Sequence, residues 1–142
     1  MPAYAENVKT VTREAQADHT GDQHKLVVFS GSRGFALAGA GDKANGVLLN
    51  KPSSIATSDG TLGTNSGFSD GSGGTIALID AGGTAPIVSG GPITAGDALA
   101  AGAGGVAVVA GTGANIIGYA EGAASQAGVI VPVSLTHGGE SA

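Results

Sequence analysis

Glycine cuts this chain into pieces too short for anything but small strands and turns. Twenty-seven of the 142 residues are Gly, and beyond Ser30 few windows of twelve residues lack one. Each Gly in a helix interior costs about 1 kcal/mol against Ala, and short helices are already marginal. The apolar runs between the glycines are rich in Val and Ile: Lys25 to Ser30, Gly34 to Ala38, Gly46 to Leu49, Thr75 to Ile79 and Ala85 to Ser89. The series continues through Asp97 to Ala100, Val106 to Ala110, Asn115 to Ala120 and Val129 to Leu135. In the second half the runs recur about every ten residues, the rhythm of an all-β sandwich or barrel rather than of βαβ units. The predicted fold class is therefore all-β, a compact Gly-rich β-barrel or sandwich. The alanine-rich piece Ala120 to Ala127 has room for one or two helical turns at most. Pro132 lacks an N–H, which predicts that the last strand lies at an edge or turns Pro132 outward.

A chain of this length is one domain, able to bury roughly two-thirds of its unfolded surface. The glycines have no three-residue period, which excludes a collagen helix, and 42% hydrophobic residues argue against a disordered chain. Residues 1–24 differ in texture from the rest. They carry His19 and His24 and no apolar run. Val8, Val11 and Ala15 stand at helical spacing, but Val11 between Thr10 and Thr12 also suits an extended strand. The extended form is preferred, so residues 1–24 are expected to be an N-terminal arm that binds a partner, and 25–142 the β domain. On that reading, deleting the arm leaves a folded domain. Residues 53–74, mostly Ser, Thr, Gly, Asp and Asn, lack periodicity and are expected to form a flexible loop.

Charge and composition narrow the chemistry. Cys is absent, so there is no disulfide, thiolate metal site or Cys nucleophile. Only 12% of residues are charged and 4% aromatic. The net charge of −5 is uneven: residues 1–51 hold all six Lys and Arg against five acidic residues, and residues 52–142 hold six acidic residues and no Lys or Arg. That second half should repel nucleic acid, whose binding depends on cationic contacts to phosphate. No apolar stretch reaches the roughly 20 residues of a membrane helix, and residues 1–20 lack the pattern of a secretory signal. The expectation is a protein made in a cytoplasm, with neither nucleic acid nor membrane as partner.

Four patterns suggest chemistry, and each has a plainer structural explanation. Gly67-Phe68-Ser69-Asp70-Gly71 fits the hydrolase nucleophile elbow, with Asp80 or Asp97 and then His137 in the right chain order. That elbow needs a strand before the Ser and a helix after it, and neither flank provides one. Gly102 to Ala107 fits a relaxed dinucleotide fingerprint with Glu121 at ribose distance, yet Val106 to Ala110 continues as strand rather than helix. His19, His24 and His137 with Asp18 and Asp22 could be imagined as metal ligands, but polar residues on an arm are ordinarily just solvated. The pairs Asp59-Gly60 and Asp70-Gly71 are turn chemistry without an EF-hand pattern. No catalytic, cofactor-binding or metal residue is assigned, and no cofactor is expected.

The order of the segments resembles a known family. The Leu26-Val27-Val28-Phe29 strand is followed by Gly34 to Asp42 (GFALAGAGD) and Gly46 to Pro52 (GVLLNKP). Later come Val88 to Asp97 (VSGGPITAGD), Asn115 to Ala120 (NIIGYA) and Ala127 to Val133 (AGVIVPV). This pattern resembles the small capsid decoration, or cement, proteins of tailed phages, with the polar stretch Ser53 to Gly74 longer and richer in Gly than theirs. The resemblance implies a β-tulip domain on the outer surface of the virion, a homo-oligomer with a trimer at three-fold positions favoured, and the major capsid protein as partner. The function it implies is to stabilise the assembled head by bridging capsid subunits, without enzymatic activity. The alternatives are another virion role, such as a head-fibre base, a tail component or a host-surface adhesin module.

Overall fold

The computed structural model describes residues 7–15, 19, 21–31, 34–50 and 73–136. These residues are all-β, with strands in two groups and no α-helix among them. The first group comprises β1 (Thr10–Ala15), β2 (Leu26–Ser30), β3 (Gly34–Leu37), β4 (Gly46–Leu48) and β5 (Gly73–Leu78). They close into a barrel in the order β1-β3-β2-β4-β5. β1 is the closing stave: it runs antiparallel to β5, from Thr10 opposite Ala77 to Glu14 opposite Gly73, and parallel to β3 at Glu14 and Ala15.

The second group comprises β6 (Thr84–Val88), β7 (Ala98–Ala101), β8 (Ala107–Val109), β9 (Gly118–Ala120) and β10 (Ile130–Leu135). It forms an antiparallel sheet in the order β6-β10-β9-β7-β8. A parallel bridge between Ser89 and Ala107, with the Gly90 N–H donating to the Ala107 carbonyl at 2.8 Å, draws the two ends of this sheet together.

Strand alternation explains how the two groups share one interior. Val27, Phe35, Leu48, Ile76 and Ala15 point into the barrel and form its core. Their neighbours Leu26, Val47 and Ala77 point out of it and join Ala85, Ile87, Leu99, Val131 and Val133 of the second sheet in a larger core. Strands β2, β4 and β5 are thus buried on both faces, which is why they read as unbroken apolar runs rather than as alternating ones.

Two expectations about the first half change. Thr10–Ala15 is an integral barrel strand, so over these residues the 1–24 segment is not an arm hanging off a domain that begins at residue 25. The cause is alternation with a cation in the pattern: Val11, Arg13 and Ala15 share the barrel-facing side, and Ala15 is fully buried. His19 is buried as well. The expected 53–74 loop lies outside the described residues, except Gly73 and Gly74, which begin β5. Gly74 leaves room for the Phe35 ring, because a Cβ there would lie 2.6 Å from Phe35 Cε1 and 2.8 Å from Cζ.

In the second half the elements agree with the runs expected, with small changes. Ala120 to Ala127 makes no helix; Ala124 instead bridges to Ile93. Pro132 lies inside the sheet and faces outward, opposite Pro86. The Pro132 carbonyl accepts from the Glu121 N–H at 2.8 Å, so its polar main-chain side faces away from β6. The two prolines therefore occupy a non-hydrogen-bonded pair, and the β6–β10 ladder loses no donor.

Candidate functional site

The residues that suggested chemistry are used structurally where they are described. His19 Nδ1 lies 2.9 Å from Asp22 Oδ2, and Lys25 Nζ lies 3.3 Å from Asp22 Oδ1. The His19 ring packs on Phe35 at a centroid distance of 4.7 Å, so it covers the edge of the barrel core. The His24 N–H donates to the Leu48 carbonyl, and the His24 carbonyl accepts from the Val88 N–H. This backbone link ties the barrel to β6. No group of three His, Cys, Asp or Glu among the described residues could hold a metal ion. Asp18, Asp59, Ser69, Asp70 and His137 lie outside the described residues.

The dinucleotide pattern resolves into a hairpin. Residues 103–105 form a single 3-10 turn between β7 and β8, with Gly104 and Gly105 at φ of 76° and 80°. The Gly102 N–H donates to the Val106 carbonyl at 2.7 Å, closing the turn. No helix follows to aim its N-terminus at a pyrophosphate. Asp97 accepts from the Thr94 N–H at 2.8 Å, as Asp42 does from the Gly39 N–H at 2.7 Å. Both carboxylates hold turns. Asp80 is exposed in the short 3-10 segment after β5.

What the fold offers instead is surface, in two places. At one mouth of the barrel, β1 and β2 bring Arg13 over Phe29, with the guanidinium carbon 4.2 Å from the ring centroid. Arg13 Nε donates to the Gly34 carbonyl at 3.1 Å and an Nη to the Gly31 carbonyl at 3.4 Å. Val11 and Leu37 are the partly buried apolar residues beside them. A guanidinium on an aromatic face gains from the ring quadrupole and is held in one orientation.

The second surface is the outer face of the β6–β10 sheet, turned away from the shared core. Ala98, Tyr119, Ser134 and Thr84 form one cross-strand row on it. Tyr119 is 40% exposed, and Ile130, further along β10 on the same face, is 42% exposed. Glu121, two residues beyond Tyr119 and so on the same side, accepts from the Thr84 hydroxyl at 3.0 Å. The result is an aromatic and aliphatic face bearing a carboxylate. Neither surface is legible in the sequence: Arg13 and Phe29 lie in different segments, and the exposure of Tyr119 depends on which face of β9 is covered.

No protein-family model matches the chain, and no curated protein does. Among solved structures the chain is similar to the N base of head fiber gp8.5 of bacteriophage phi29, with a TM-score of 0.66 and 18% sequence identity. The likeness covers 94% of this chain and 97% of that one, and at this identity it is a likeness of fold.

Proposed function

We infer that this chain is a structural protein of a phage virion, seated on the outer surface of the head, where it binds the major capsid protein and braces the assembled shell. The observation that carries this reading is the fold likeness to a head-fibre base along nearly the whole of both chains. The order of segments that resembles the capsid decoration proteins supports it. The side-chain chemistry fits the same role, since a chain with 12% charged residues and no Cys is poor in reactive groups and rich in β surface. A protein of this kind works through area and repetition: a modest contact repeated on a symmetric lattice gains strength from effective concentration. On this reading the chain is not an enzyme, and Ser69→Ala leaves particle binding unchanged.

A second reading has its own observation. The chain with the 0.66 TM-score is itself the base of a fibre, so this chain could serve as the base module of a head fibre rather than as a cement. Copy number separates the two. Quantitative mass spectrometry of purified particles, with cryo-electron microscopy of their surface, is the test. Abundance near that of the major capsid protein with density over the shell supports cement, and sparse projecting density supports a fibre base. Absence from purified particles would overturn both.

A further inference from the structure

We propose that copies of this chain associate head to tail, the Arg13–Phe29 mouth of one barrel receiving the Tyr119–Glu121 face of the next copy. The argument starts from charge. Residues 1–51 hold all six Lys and Arg with five acids, close to balance, while residues 52–142 hold six acids and no Lys or Arg. The two halves fold into two packed groups of strands, so this asymmetry in sequence becomes one in space: four of those bases are described, all in the barrel half, and the β6–β10 sheet has none.

Arg13 is prepared for such a contact. Stacking on Phe29 and two carbonyl bonds fix the guanidinium, and two neutral carbonyls neither saturate its fork nor balance its charge. Among the described residues no carboxylate lies at ion-pair distance from it. A rigid Arg beside partly exposed apolar side chains is the composition of an interface anchor. Glu121 is its complement, an exposed carboxylate held in place by Thr84 and beside the exposed ring of Tyr119. Carboxylate meets guanidinium, and Tyr119 meets the apolar rim of the mouth.

The two surfaces differ and lie on different parts of the molecule, so one copy uses both at once. Such a heterologous contact closes into a ring when its rotation permits and otherwise runs on as a fibre. Both outcomes suit a repeated surface protein. The proposal itself concerns the purified chain and does not depend on where the chain sits in a particle.

The test is light scattering coupled to size exclusion on purified full-length protein without particles, across a concentration series and at low and high salt. The wild type is expected to form an oligomer whose apparent Kd weakens with salt, because the pair is only partly shielded from solvent. Arg13→Glu and Glu121→Arg are each expected to weaken association by about tenfold or more, since like charges then face each other. The doubly reversed protein restores the pairing and with it most of the association. Circular dichroism confirms the fold of each variant, and Glu121→Arg, at an exposed position, decides the matter alone if Arg13→Glu does not fold. A monomeric wild type at all concentrations overturns the proposal. So do single reversals that associate as the wild type does, or a double reversal no better than the singles.

Discussion

Leu26 and Val27 are neighbours on β2 that belong to different cores, Leu26 to the one shared with the second sheet and Val27 to the barrel interior. Val47 with Leu48 and Ala77 with Ile76 repeat the arrangement on β4 and β5. Because the same three strands wall both cores, loss of one should expose a face of the other. The two groups are therefore expected to unfold together. Leu26→Ala should cost about 3 kcal/mol through the cavity it leaves, and Val27→Ala somewhat less. In a Tyr4→Phe background, Tyr119 fluorescence follows the second sheet while far-UV circular dichroism follows all strands. Coincident urea transitions are expected for the wild type and for both variants. Two separated transitions would show that the barrel and the sheet are independent units.

β1 closes the barrel between β3 and β5, so the N-terminal segment cannot be removed without consequence. Truncation of residues 1–15 takes away Ala15 from the core and leaves strand edges open on β3 and β5. Open apolar edges are templates for aggregation. The truncated protein is expected to be insoluble or unfolded, whereas removal of residues 1–6 alone leaves β1 in place. Solubility on expression and circular dichroism of the two truncations check this, and a soluble, cooperatively folding 16–142 fragment would refute it.

The contrast between β1 and the other strands marks how far the sequence can be read. Runs such as Leu26 to Ser30 and Ile130 to Leu135 are legible because β-branched residues packed between glycines leave few alternatives to strand. Thr10 to Ala15 is legible only as extended chain and not as a stave of the barrel, because its barrel-facing set includes Arg13, whose long stem and stacked guanidinium serve where an apolar residue is recognisable. The closure into a barrel is equally hidden. In Leu26-Val27 both residues are apolar, so nothing in the pattern says that they face opposite cores. For the same reason the two surfaces are not legible in the sequence, since Arg13 meets Phe29 and Tyr119 meets Ser134 only through the folded arrangement of the strands.

Ser89 offers a test of how the loop before β10 is held. Its hydroxyl donates to the Gln126 carbonyl at 2.9 Å and accepts from the Val129 N–H at 3.1 Å. Its main chain adds bonds from the Ser89 N–H to the Val129 carbonyl and from the Gly128 N–H to the Ser89 carbonyl. Ser89→Ala removes both bonds and leaves the Gln126 carbonyl, on an exposed residue, and the Val129 N–H, on a half-buried one, without the hydroxyl. The expected loss is about 1 kcal/mol. Amide hydrogen exchange should speed up at Val129, with the barrel amides changing only as far as global stability falls. Unchanged protection at Val129 would mean that the main-chain bonds suffice.

Gly74 and Phe35 provide the most specific test of barrel packing, because the conflict they predict can be relieved. A methyl group at position 74 would press on the Phe35 ring edge and come within 3.2 Å of Leu48 Cδ1. Phe35 is 1% exposed and has no free side to move toward. Gly74→Ala is therefore expected to destabilise by about 1–3 kcal/mol, the cost of overpacking. Phe35→Leu alone leaves a small void and also costs stability. The double variant should be more stable than the sum of the two losses, with a coupling of about 1 kcal/mol or more, since the smaller side chain makes room for the new methyl. Gly118→Ala is the control: the atom its Cβ meets first is the Ser134 carbonyl oxygen, part of the β10 backbone, and no side-chain exchange can move it. Urea midpoints of the four barrel proteins, measured with Gly118→Ala alongside, give the coupling directly. Strict additivity at Gly74 and Phe35 would show that the ring is free to shift and that the barrel interior is looser than its closed strand order implies.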